Sequence, residues 1–119
     1  MLSYASWKEE FHLPAAADTV FTALLECLAE LGYEIERAEP DVRGVTGFSG
    51  SLFKWSRRGH GRIAAVVDPI GEDVSRIVIE CGPGYAPRTA TEPTYRADVE
   101  RIVALLNESL MRLRELSRG

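Results

Sequence analysis

Polar and apolar residues alternate from Trp7 to Leu13. Trp7, Glu9, Phe11 and Leu13 fall on one side, Lys8, Glu10 and His12 on the other. A period of two that stops at Pro14 predicts a half-buried strand, with Glu9 a lone polar residue near the sheet's margin. The period then changes. Val20, Phe21, Leu24, Leu25, Leu28 and Leu31 recur at three- and four-residue spacing, which predicts a helix from about Ala15 to Leu31. The alanines after Pro14 suit a first turn, Asp18 complements the positive end of the helix dipole, and Gly32 supplies the left-handed conformation that ends many helices.

Four shorter segments return to strand character. Tyr33 to Arg37 alternates and is followed by a Pro40-Asp41 turn, and Arg43 to Ser49 is a weaker strand carrying Gly44 and Gly47. Arg62 to Asp68 is almost continuous in small and β-branched residues. A turn over 69–73 leads to Val74–Cys81, which places Ile77, Ile79 and Cys81 on one face. Gly82 to Pro93, with its prolines and glycines, reads as a crossing loop. Beyond it Val99, Ile102, Val103, Leu106, Leu110 and Leu113, backed by Leu116, predict a final helix of roughly 22 residues, about 33 Å long. Strand, helix, four strands, helix with short connections predicts a two-layer α+β fold. It has a curved antiparallel sheet of about five strands and two helices on one face, all in a single domain over residues 1–119.

Composition adds little to this picture until charge is mapped onto it. The chain of 119 residues is 45% hydrophobic and 27% charged, with a net charge of −4. An acidic body gives no strong nucleic-acid signal, because polyphosphate is repelled by it. The longest purely apolar run, Ile63 to Val67, is far short of the roughly 20 residues that cross a bilayer. The first ten residues carry neither a basic region nor an apolar run, so a cytoplasmic location is the expectation. Cys27 and Cys81 read as buried thiols in a reducing compartment, since a disulfide requires Cα atoms within about 7 Å.

The cations are not spread evenly. Four of the 14 Lys and Arg residues, Lys54, Arg57, Arg58 and Arg62, crowd one connection between strands, with Phe53, Trp55 and His60 among them. Arginine beside an aromatic ring can grip an anion by paired hydrogen bonds and stacking. The same cations also suit a solvated hairpin tip that resists edge-to-edge pairing, with Leu52, Phe53 and Trp55 tucked into the core. An anion held by this turn would be released when Arg57→Ala and Arg58→Ala are combined. Binding measured at low salt should then fall steeply, and an unchanged affinity would contradict the assignment.

Motifs for catalysis are missing. His12 and His60 have no partner at metal-ligand spacing. There is no nucleophile elbow, and neither cysteine has an activating neighbour in sequence. The pairs Glu9-Glu10 and Glu72-Asp73 are sequential and tend to diverge, while Glu34 and Glu36 share a strand face with Arg37 and solvent. Gly44, Gly47 and Gly50 match no phosphate-binding loop, and Gly82-Pro83-Gly84 lies too far from the next helix to act as one. No cofactor and no catalytic residue is implied.

The element order, together with Leu52-Phe53-Lys54-Trp55-Ser56 leading through a turn into a strand, resembles small uncharacterised bacterial α+β domains with a Ser-x-x-x-Trp turn. The long C-terminal helix against a meander is also similar to a reduced helix-grip domain, an architecture of many small lipophilic-ligand binders. With fewer strands and one helix after the first strand, the resemblance implies no large internal cavity. The leading expectation is a non-enzymatic binding module for an unknown protein or anionic ligand. It would use the turn 52–62, with Phe53, Lys54, Trp55, Arg57, Arg58 and Arg62 as contacts and Gly82–Pro93 beside them. The alternative is a small-molecule carrier or enzyme with a pocket between sheet and final helix, Tyr33, Tyr85, Tyr95 and His12 being its candidate polar groups. Leu105, Met111 and Leu116 widen the last helix's apolar stripe and raise homo-oligomerisation as a third expectation.

Overall fold

The computed structural model describes residues 6–49, 61–83 and 92–118. Its elements run β1 (Trp7–Leu13), α1 (Ala17–Glu30), β2 (Glu34–Glu39), β3 (Gly44–Phe48), β4 (Gly61–Pro69), β5 (Ser75–Pro83) and α2 (Glu92–Arg118). The five strands form one antiparallel sheet in the order β1-β5-β4-β3-β2. Strands β2 to β5 are the meander that the short connections require, and β1 closes it by pairing with β5. Both helices pack on the same face, as the one-sided apolar patterns of the strands demand.

The apolar stripes meet in a single core. Val20, Leu24 and Leu28 of α1, Ile63 and Val67 of β4, Ile77 and Ile79 of β5, and Val99, Ile102 and Leu106 of α2 have no solvent exposure. Each such aliphatic contributes roughly 1.5–3 kcal/mol of transfer free energy, before conformational entropy is counted. Trp7 and Phe11 of β1 pack on the core's margin, half-buried.

Helix α1 starts two residues later than its periodicity suggests. Ala15 N–H bonds the Leu13 carbonyl at 2.9 Å, and Ala16 is extended, with φ −62° and ψ 147°. Residues 14–16 therefore form the connection. The helix closes with paired bonds. Gly32 N–H reaches the Ala29 carbonyl at 3.1 Å and Tyr33 N–H the Leu28 carbonyl at 2.9 Å. With Gly32 at φ +88°, this is the Schellman arrangement, in which the residue after the glycine returns towards the helix it leaves. Tyr33, expected in a strand, thus belongs to the cap.

Strand β2 runs on to Glu39 and slips register between Ile35 and Arg37, so it lacks the clean alternation read from its sequence. Gly47 sits opposite that slip, where a Cβ would stand 2.7 Å from the Glu34 carbonyl oxygen. At the far end of β5, Gly82 and Pro83 pair with Arg62 and Gly61, so they are strand and not crossing loop. Helix α2 has 27 residues, about 40 Å, and takes Pro93 into its first turn, where a missing N–H costs nothing. It outruns the sheet. Residues 111–117 are all exposed, including Leu113 at 43% and Leu116 at 76%, so the stripe continues beyond the core that it was expected to fill.

Two glycines give a stability test by chemical denaturation. Gly32→Ala has free space for its methyl group but the wrong φ, and is expected to cost about 1–2 kcal/mol. Gly47→Ala meets backbone, and is expected to cost about 1–3 kcal/mol from overpacking. Two variants as stable as the parent would contradict the cap and the register slip.

Candidate site at the polar end of the sheet–helix interface

Among the described residues, the interior between the sheet and α2 differs from end to end. Towards the Leu13 end it is lined by Val67, Ile77, Leu106 and Leu110, all buried. At the other end, the row Trp7, Cys81, Ile63 and Gly47 crosses the sheet, and polar and aromatic groups gather. The register places Trp7 opposite Cys81. The α1 cap delivers Tyr33, and the second turn of α2 delivers Tyr95, only 1% exposed.

Tyr33 and Cys81 are joined by a side-chain hydrogen bond. The phenol donates to the sulfur, which holds the phenol protonated and eases the thiol's ionisation. Burial dominates both groups. It raises Tyr33 well above the usual phenol range, helped by the neighbouring thiol and Asp98, and it pushes the Cys81 thiol up to about 12, helped by Asp98. Both are therefore neutral hydrogen-bonding groups at physiological pH. A thiol so protonated is no nucleophile.

Around them charged groups gather towards the solvent-exposed rim. Trp7 Nε1 donates to Glu9 Oε1 at 2.8 Å, which explains the polar residue on the apolar side of β1. Arg96 lies over the Trp7 ring at 5.0 Å from its centroid and donates from Nε to Glu100 Oε1 at 3.1 Å. Glu9 and Glu10 point to opposite faces, and His12 Nε2 lies 3.6 Å from Glu10 Oε2 on the outer one.

Sequence-based candidates divide accordingly. Phe53, Lys54, Trp55, Arg57 and Arg58, with His60 and Tyr85, lie outside the described residues. Arg62 is described and faces outward from β4. Its guanidinium is 3.8 Å from Glu36 and 5.9 Å from the Phe48 ring centroid, while Glu36 also accepts from Thr46 Oγ1 at 3.2 Å. Tyr33 and Tyr95 do converge between sheet and helix. His12 does not, because it sits at an even position of β1 and even positions face away from α2.

Cys81, Asp98 and Glu9 were missed as site residues. The available signal was that Cys81 shares the interior phase of β5 with Ile77 and Ile79, beside a tyrosine that directly follows a helix-ending glycine. The two cysteines are free and far apart. Cys27 bonds Ser109 of α2 whereas Cys81 lies by Asp98, and eleven helical residues span about 16 Å. Among the described residues no group of three or more His, Cys, Asp and Glu could hold a metal ion, and no helix is long and apolar enough to cross a membrane.

No protein-family model and no curated protein matches the sequence. Solved structures do. The di-domain aromatase/cyclase BexL from the BE-7585A biosynthetic pathway superposes with a TM-score of 0.63 at 8% identity, over 89% of this chain. The chain spans 46% of that longer protein. The Zhui aromatase/cyclase of Streptomyces sp. R1128 gives a TM-score of 0.54 at 12% identity, covering 93% of this chain and 96% of that one. A START superfamily protein from Mycobacterium smegmatis gives 0.54 at 9%, covering 93% and 99%. At such identities the likeness is one of fold, and the fold is helix-grip-like.

The buried acids of the site fix a pH dependence. A folded pKa raised above the unfolded value means that the native state holds its proton longer, so stability is whole below that unfolded value and falls above it. For Cys81 the window opens near pH 9 and closes near 12, and Tyr33 adds to the fall above pH 10. Denaturation midpoints are expected to drop between pH 8 and pH 10.5, with each group contributing about 1.4 kcal/mol per pH unit within its window. Cys81→Ala is expected to flatten the first part of that drop. Equal slopes in parent and variant would contradict the buried thiol.

Proposed function

We propose that this chain binds a small, mostly apolar organic molecule at the Tyr33–Cys81 end of the interface between sheet and α2, as a carrier or enzyme of helix-grip type. The observation that carries this reading is the one-sided placement of Tyr33, Cys81, Tyr95 and Trp7. The remainder of the core is mostly aliphatic, with Phe21 and Cys27 the exceptions. Ligand sites combine an apolar lining with a few fixed polar groups, and the hydrogen-bonded phenol–thiol pair is such a group, held in place by the α1 cap on one side and by β5 on the other. The names of the solved proteins of this fold support it, since aromatase/cyclase denotes chemistry on small organic molecules.

This reading takes precedence over a module that recognises a protein or an anion through the turn 52–62. The one proposed contact of that turn that is described, Arg62, is engaged by Glu36 and Phe48 on the outer face. The turn's base is nonetheless fixed at the same end of the sheet, where Ser49 N–H bonds the Gly61 carbonyl at 2.8 Å. Phe53, Lys54, Trp55, Arg57 and Arg58, outside the described residues, stay within the proposal as candidate ligand contacts.

The test uses the fluorescent apolar amine N-phenyl-1-naphthylamine. It is expected to bind saturably with blue-shifted emission, and to be displaced by aromatic ketones and phenols. Tyr33→Phe removes the hydroxyl oxygen that can accept from a phenolic ligand and is expected to weaken the displacing phenols about three- to tenfold, leaving the amine's own affinity nearly unchanged. No saturable binding at protein concentrations up to 100 μM would overturn the proposal.

A further inference from the structure

Among the described residues no helix packs on the outer face of the sheet, and its centre is not polar. Gly44, Ala64, Val66 and Val78 floor a cleft of about 320 Å³ there, with Val66 43% exposed. A solvated sheet face normally presents polar side chains.

Charges flank the apolar strip, and Glu80 stands within it beside Ala64 and Val78. Strand register puts Lys8, Glu80, Ala64, Thr46 and Arg37 in one row across the face, and Glu10, Val78, Val66, Gly44 and Glu39 in the next. The sign therefore reverses along β1 from Lys8 to Glu10 and along β2 from Arg37 to Glu39. On β4, Arg62 lies one row beyond the first and Asp68 one row beyond the second.

We propose that this face is the interface of a two-fold symmetric homodimer whose axis crosses the strands between those two rows. A rotation about that axis exchanges the rows while each strand faces its own copy. Lys8 then meets the partner's Glu10, Arg37 meets the partner's Glu39 while ion-paired to Glu39 of its own chain, and Arg62 meets the partner's Asp68. The intrachain pairs Arg37–Glu39, Arg62–Glu36 and Arg76–Asp68 thus become shared networks across the interface. Ala64 meets the partner's Val66, so a valine from each copy enters the cleft that small residues leave open in the other. An axis parallel to the strands keeps each row against itself instead, setting Lys8 against Arg37 and Glu10 against Glu39, and is excluded by like charge. Facing sheets pack about 10 Å apart, within reach of these long side chains.

The size of the face bounds the affinity. Five strands at about 4.8 Å spacing and about 25 Å of strand length give a footprint of about 600 Å². That is below the roughly 800 Å² per partner of standard stable complexes, so the dimer is weak, with a Kd in the micromolar range.

Sedimentation from 1 to 500 μM, at low salt, tests the geometry with two variants on exposed side chains. Lys8→Glu sets Glu against the partner's Glu10, and Glu10→Lys sets Lys against the partner's Lys8, so each alone is expected to dimerise at least tenfold more weakly than the parent. An equimolar mixture restores opposite signs at both contacts and is expected to regain the parent's affinity. Three results would overturn the proposal. They are a parent monomeric at 500 μM, a mixture no tighter than either variant, or a dimer that survives both changes and is lost in Leu113→Glu with Leu116→Glu on the overhanging end of α2.

Discussion

Burial of one stripe of α2 against the interior faces of β1 and β5 and the flank of α1 is the contact on which the sheet, the site and the outer face all depend. Val99, Ile102 and Leu106 are wholly buried, and at roughly 1.5–3 kcal/mol each their transfer free energy is comparable with the whole net stability of a domain, about 5–15 kcal/mol. Among the described residues strand β1 has only β5 as a backbone partner, so its second support is α2. Arg114 ties the same helix to the turn after β1 by donating to the Pro14 carbonyl at 3.3 Å. With the helix seated, odd positions of β1 are committed to the interior and even positions to the outside. Trp7 joins the site and Lys8 the outer face for that one reason.

The same contact bears on where paired polar groups are tolerated. Where α2 lies deepest, an unpaired phenol or thiol would cost more than its packing returns. At the Tyr33–Cys81 end the two groups satisfy each other, and Glu9 is answered by the Trp7 indole. At the opposite end of β5, Ser75 is fully buried and its hydroxyl has no protein partner. A polar atom is thus present there too, but isolated, without the aromatic groups that gather at the other end.

Much of the architecture was legible because it rests on periodicity. Element order, the antiparallel pairing of the last four strands and both helical stripes follow from period two and period 3.6, which need no knowledge of neighbours. Three kinds of information were not local. The pairing of β1 with β5 links residues about seventy positions apart, and only that pairing sets Trp7 beside Cys81. The slip in β2 is a relation between Ile35 and β3 that alternation cannot reveal. The last turns of α2 read as core because Leu113 and Leu116 keep the spacing of Leu106 and Leu110, yet the sheet ends before they arrive. Charge density drew the sequence reading to residues 54–62. Residues 54–60 lie outside the described residues, and the candidate site is built on Tyr33 and Cys81, single uncharged residues in ordinary surroundings until the fold brings them together.

The most direct measurement of the central claim is a ¹H–¹⁵N correlation spectrum of the uniformly labelled protein, titrated with N-phenyl-1-naphthylamine. The account predicts saturable shifts concentrated on the amides of Trp7, Tyr33, Cys81 and Tyr95, with those of Ala64, Val66 and Val78 unmoved. Shifts confined to the outer face, or none anywhere at millimolar probe, would contradict it.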